Sequence, residues 1–172
     1  GAAAAISQVT LYSIFEGLTR LDSGGGVLTL LAKSWTISDD GTTDTFFLEI
    51  CVAYHNGAPF NSVDVKAQFE RNAAEDSSNK SKGLFSSIVS IATPNAHTVT
   101  VTLPSANALF PFFLAQAPAA ILDYEAYADA NTNPVGTGPY QFVKWTKGDS
   151  VTLKKFDKYR NASDVQIENV QF

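Results

Sequence analysis

The chain has 172 residues, 45% hydrophobic and 17% charged, a balance that supports one sizeable packed core and excludes a disordered tract. Its 17 acidic residues outnumber 12 basic ones for a net charge of −5, which argues against nucleic acid as a partner, since a phosphate backbone is met with surplus lysine and arginine. The single cysteine rules out an internal disulfide and, without clustered histidines, leaves no basis for a structural zinc site.

Residues 7–18 predict a helix, with Val9, Leu11, Tyr12, Ile14, Phe15 and Leu18 on a broad apolar face and Gly17 weakening the last turn. Residues 1–5 are small and uncharged and carry no leader signature, and no apolar run reaches the roughly eighteen residues of a spanning helix. The glycines of 22–26 are not followed by a helix, so they read as a connector and not as a phosphate loop. Two strands, 34–37 and 43–50, flank Ser38-Asp39-Asp40-Gly41, whose adjacent carboxylates before a glycine suit an Asx-type turn better than a metal or acid-base pair. Cys51 is expected on the same strand as a small buried hydrophobe.

Asn56-Gly57 supplies a turn, and Asn61 with Asp64 three residues later supplies a capping signal for a helix with Val65 and Phe69 on its inner stripe. That helix fades into the polar loop 75–81, after which 83–86 hold a short helical turn. Strands at 88–92 and 97–103 are joined by Thr93-Pro94-Asn95-Ala96, and 98–103 alternate with period two. Residues 107–114 read as a buried helical segment in which Pro111 is tolerated only near a first turn. Asp123 is positioned to cap 124–130; strands at 140–145 and 150–156 form a hairpin across Lys147-Gly148-Asp149; a last strand covers 165–172. Hairpins mixed with short helices predict an α+β lobe built on a mixed sheet.

Four ordered blocks resemble one family. Val52, Tyr54, His55, Gly57, Pro59, Phe60, Asn61, Asp64, Val65 and Arg71 follow the pattern V-K-F-H-D-G-T-P-F-N-A-E-D-V-x-x-x-x-x-R. Residues 14–22 (I-F-E-G-L-T-R-L-D), 31–35 (L-A-K-S-W) with 38–41, and 133–140 (N-P-V-G-T-G-P-Y) with Trp145, Gly148 and Asp149 follow in the same order as in that family. Together they resemble the family 5 extracellular solute-binding proteins, the oligopeptide, dipeptide and nickel receptors of ABC importers. Four positions depart from it: Glu49 and Cys51 stand where L-R-x-G-V is usual, Thr29 replaces a proline, and Tyr159-Arg160 stands where Tyr-Trp is usual.

The resemblance implies part of the first lobe of a two-lobed periplasmic-binding-protein-like fold (type II, cluster C), with residues 1–45 in the larger-lobe core, 46–160 a first-lobe subdomain and 161–172 a strand returning to the core. It implies an exported, periplasmic or extracellular protein whose leader has been removed. Such a protein captures a peptide or related small solute and delivers it to an inner-membrane ABC permease. The second lobe of the same protein would be the other jaw, so this fragment alone is expected to bind solute weakly or not at all. No cofactor, metal or catalytic residue is implied. By position relative to the motifs, Phe85 in the 83–85 loop and Gln116 in the 115–118 loop resemble cleft-side residues, and Tyr12 and Glu16 approach the hinge.

Two other classes stay open on the residues alone. A non-transport interaction or sensor domain would expose a large apolar patch. A hydrolase would bring His55 or His97 together with a carboxylate and a nucleophile, yet no G-x-S-x-G or H-E-x-x-H motif accompanies either. Gly136-Thr137-Gly138 feeds a strand where a dinucleotide fingerprint requires a helix, so it reads as a tight turn.

Overall fold

Residues 12–172 are described by the computed structural model of the chain. They divide between two compact units, each built from separated stretches of sequence: unit one from residues 12–16, 51–60 and 122–172, unit two from 17–50 and 61–121.

Unit two begins with a small hairpin, β1 (Thr19–Leu21) and β2 (Val27–Thr29), closed by Asp22, whose Oδ1 accepts the Gly24 and Gly26 N–H groups, each at 2.8 Å. A four-stranded sheet follows, assembled from the hairpins β3 (Ala32–Ile37)–β4 (Thr43–Leu48) and β5 (Ser90–Asn95)–β6 (Thr98–Thr102) in the order β3-β4-β6-β5. Period-two alternation sets its inner face: Phe46 and Leu48 of β4 and Val99 and Val101 of β6 are fully buried. Asp44 lies on that same face of β4, equally buried, and neither carboxylate oxygen has a hydrogen-bond partner among the described residues. The β3–β4 turn is the expected one, with Asp40 Oδ1 accepting from Ser38 Oγ at 2.6 Å and from the Thr42 N–H at 3.0 Å. The Ser38 hydroxyl, followed by the Thr42 amide, holds the Asp40 carboxyl below its ordinary range.

Helix α1 (Ser62–Ala73) packs on β5 and β6 and starts where the sequence predicts. Asn61 Oδ1 accepts the Val63 N–H at 2.8 Å, and Asp64 Oδ2 accepts the Asn61 N–H at 2.7 Å, which closes a capping box. Replacing Asn61 with alanine is expected to cost about 1 kcal/mol, readable by urea denaturation. Val65 and Phe69 are buried, and Phe69 meets Phe85 of the short helix α2 (Lys82–Ser86) with ring centroids 5.1 Å apart. Helix α3 (Phe110–Phe113) carries Pro111 in its first turn, where its missing N–H has no partner to lose, and sets Phe110 against Phe46.

In unit one, residues 12–14 are helical, residues 53 and 59 form an isolated bridge across the Asn56-Gly57 turn, and Asp123 caps the 3₁₀ helix Tyr124–Asp129 through the Glu125 N–H. A three-stranded sheet, β7 (Tyr140–Thr146), β8 (Ser150–Lys155) and β9 (Asn169–Gln171), completes it.

The α+β class is as expected, but among the described residues every strand pairing is antiparallel and the strands form three sheets where one mixed sheet was expected. The helix predicted over 7–18 also stops early: residues 7–11 lie outside the described residues, and beyond Ile14 the backbone leaves the helix. Gly17 and Leu18 offer their carbonyls to the Leu31 and Ala32 N–H groups at 3.3 and 2.9 Å, an extended pairing that the apolar period of the segment does not reveal. Pro94 sits inside β5 and not in a turn. That strand is an edge with a register shift between Ala92 and Asn95, a place where a missing ladder donor does little harm.

Cys51 overturns its expectation. It is exposed, and its φ of +60° is the left-handed conformation that a Cβ disfavours. The family pattern has glycine at this place, and the backbone has kept the glycine shape. Cys51→Gly is expected to stabilise the protein by about 1 kcal/mol, read as a raised thermal midpoint.

Candidate functional site

The two glycine-bearing motifs of unit one are tied to each other. The His55 N–H donates to Gly136 O at 3.0 Å, the Gly136 N–H returns a bond to His55 Nδ1 at 3.4 Å, and His55 Nε2 lies 3.0 Å from Gly138 O. This pattern fits one neutral tautomer, with the proton on Nε2. Burial lowers the His55 pKa, partly opposed by the Gly138 carbonyl, and Phe156 stands edge-on to the ring at 4.9 Å. Both ring nitrogens are therefore committed to backbone, which leaves no lone pair to act as a general base. Asn56 Nδ2 donates to Asp123 Oδ2 at 2.6 Å, and the Gly138 N–H donates to Ile14 O at 2.8 Å.

Gly136 and Gly138 are needed for space. A Cβ on Gly136 would fall on Ile14 O and 2.7 Å from Phe15 Cδ1; one on Gly138 would lie 2.6 Å from Ser13 O. Gly136→Ala is expected to cost about 3 kcal/mol or more, because backbone cannot yield as a flexible side chain can; chemical denaturation measures it. The motif read as a tight turn is thus a close-packing device.

Glu16 is 4% exposed and meets four donors. Arg160 grips it with both terminal nitrogens, Nη1 to Oε2 and Nη2 to Oε1, each at 2.7 Å, while Tyr159 Oη donates to Oε1 at 3.1 Å and Thr137 Oγ1 to Oε2 at 3.0 Å. Sequence reasoning noted Tyr159-Arg160 only as a departure from the family pattern and missed this pairing. The remaining sequence-predicted site residues are placed as follows. Tyr12 is exposed; Phe85 is buried against Phe69; Gln116 is half-buried on the turn before the 3₁₀ helix Ala117–Ala119, and its C=O accepts the Ala119 N–H at 2.9 Å. His97 is exposed at the β5–β6 turn. Among the described residues no cluster of three or more His, Cys, Asp or Glu is arranged to hold a metal, and no helix is long and apolar enough to cross a membrane.

Comparison with known proteins decides what these motifs belong to. The family model described as bacterial extracellular solute-binding proteins, family 5 middle, matches residues 27–172. The chain belongs to that family. The glutathione-binding protein GsiB of Salmonella typhimurium is 35% identical over 158 residues, which cover 90% of this chain and 31% of that protein. The family 5 chain therefore spans about a third of the length of the curated relatives it matches. Among solved structures, the binding protein AgaA of A. tumefaciens R10, in complex with agropinic acid, superposes with a TM-score of 0.89 at 31% identity, over 96% of this chain and 34% of AgaA. NikZ of Campylobacter jejuni, in complex with Ni(L-His), gives 0.82 at 31% identity, over 93% of this chain and 33% of NikZ. The α+β fold is that of part of these cluster C binding proteins, and the family is one of solute-binding proteins, not enzymes.

Proposed function

We propose that this chain is part of the substrate-binding component of an ABC importer, working outside the cytoplasmic membrane to capture a peptide or related small solute and pass it to a membrane permease. The match of the family model over residues 27–172 carries the reading. The commitment of both His55 nitrogens to backbone supports binding over hydrolysis.

Solute contacts favour a closed clamp only to the extent that they are stronger there than in the open form. Within unit two we assign these contacts to the α2 segment and the Gln116 turn, with Phe85 acting as the buried anchor of α2. In unit one, exposed Tyr12 is free to reach solute, while Glu16 contributes by holding Arg160.

Isothermal titration of the intact protein that carries this chain, against reduced glutathione, di- and trialanine and Ni(L-His), tests the reading. Binding of at least one with a Kd near 1 μM, about 8 kcal/mol, is expected. Binding of none, or cleavage of a peptide during the titration, would overturn it.

A further inference from the structure

Two side-chain amides converge on one backbone oxygen in unit two. Asn79 Nδ2 donates to Pro118 O at 2.8 Å, and Asn72 Nδ2 donates to the same atom at 3.2 Å. A carbonyl has two lone pairs, and here both are engaged, so the Pro118 peptide cannot rotate without giving up two bonds. Asn72 is itself fixed one turn along α1, where its Oδ1 accepts from Gln68 Nε2 at 2.9 Å. Gln68 and Asn72 are both buried, which makes the loss of their bonds costly.

Asn79 reaches in a second direction. Its Oδ1 accepts the Ser81 N–H at 2.8 Å and its backbone C=O accepts the Lys82 N–H at 3.1 Å, so the same residue sets the start of α2. Pro118 lies two residues after Gln116 in the tight turn Ala117–Ala119. Asn79 is thus bonded at one end to the segment carrying Phe85 and at the other to the turn carrying Gln116, with α1 bracing both through Phe69 and Asn72. In sequence it sits unremarked in the polar stretch 75–81.

We propose that Asn79 is a positioning residue for solute binding: it holds α2 and the Gln116 turn at a fixed separation, so that they meet solute as one preformed surface. This rests on the assignment of those two segments to solute contact made above. Fixing the segments before binding removes an ordering cost that each binding event would otherwise carry.

Asn79→Asp keeps an oxygen for the Ser81 N–H and replaces the amide that reaches Pro118 with a charged carboxylate oxygen, and the neutral Asn79→Ala variant separates the lost bond from the added charge. In the intact protein, titrated with whichever of reduced glutathione, dialanine, trialanine or Ni(L-His) binds tightest, Asn79→Asp is expected to weaken binding about tenfold at a temperature where the variant is fully folded. Asn79→Ala, which loses both side-chain bonds and keeps only the backbone bond to Lys82, is expected to weaken it at least as much. Thermal unfolding without solute is measured alongside, because a merely structural role would lower the midpoint and leave the Kd of the folded protein unmoved. Unchanged Kd in both variants, with clear binding by the unsubstituted protein, overturns this inference and leaves the solute-binding reading standing. No binding by the unsubstituted protein overturns both.

Discussion

Arg160→Ala is expected to destabilise the protein by about 3 kcal/mol, the lower end of what removing one partner of a buried ion pair costs. Glu16 is the reason. Its side chain is only 4% exposed, so a carboxylate left without the guanidinium could not be rehydrated in place, and the hydroxyls of Tyr159 and Thr137 replace only part of what is lost. The lower end applies because Arg160 keeps 19% of its side chain in contact with water. The double variant Glu16→Gln/Arg160→Met is expected to recover much of the loss, since replacing both partners leaves no isolated charge. Urea denaturation of the unsubstituted protein, Glu16→Gln, Arg160→Met and the double variant closes a double-mutant cycle and measures the coupling. A value under about 0.5 kcal/mol would mean that the pair behaves like an ordinary surface bridge.

Asp44→Val is expected to act in the opposite direction. The Asp44 carboxyl is buried among apolar strand residues without a hydrogen-bond partner among the described residues, and desolvation pushes its pKa up from 3.8 to about 6. Between those values the folded protein holds a proton that the unfolded chain has released, so stability falls as pH rises through that window. At about 1.4 kcal/mol for each pKa unit, the total loss by pH 7 is up to about 3 kcal/mol. Valine suits a central strand and carries no charge to desolvate, so the variant is expected to gain most of that amount at pH 7 and to lose the pH slope between 4 and 6. An Asp44→Asn variant would also abolish the slope, yet its amide would stay unsatisfied and the gain would be smaller. Denaturation curves at several pH values separate the two, and an unsubstituted protein whose stability is flat from pH 4 to 7 would contradict the assignment.

What was legible in the sequence was local chemistry. The Asn61–Asp64 capping box, the Asp40 turn and the Asp123 cap each use a side chain to bond a backbone group a few residues away, so residue type and spacing nearly determine the outcome. The strand that carries Asp44 offered a readable signal as well. Alternation places it two and four residues before Phe46 and Leu48, hence on their face, a period-two signal not used in reading this strand from sequence.

What escaped depends on residues far apart in the chain. Glu16 and Arg160 are separated by 144 positions, and Gly17, expected in a helix, instead accepts the Leu31 N–H at its carbonyl and lies beside the Leu114 carbonyl. Asn79 and Pro118 meet across 39 positions. Of the four residues expected at the solute site, the sequence marked the segments through their place among motifs, but it had no means of showing that Phe85 is enclosed or that Glu16 is already held by Arg160.

The segmented make-up of unit one bears on how the protein emerges from the ribosome. Glu16 is synthesised among the first residues of this stretch, yet Thr137, Tyr159 and Arg160 follow 121, 143 and 144 positions later. At about 5–20 residues per second, the carboxylate waits on the order of ten seconds for its guanidinium. Until then the carboxylate lacks the guanidinium that grips it, and residues 17–50 and 61–121 of unit two have time to organise first. A chaperone that engages the nascent chain before Arg160 is made would meet it with this unit still open.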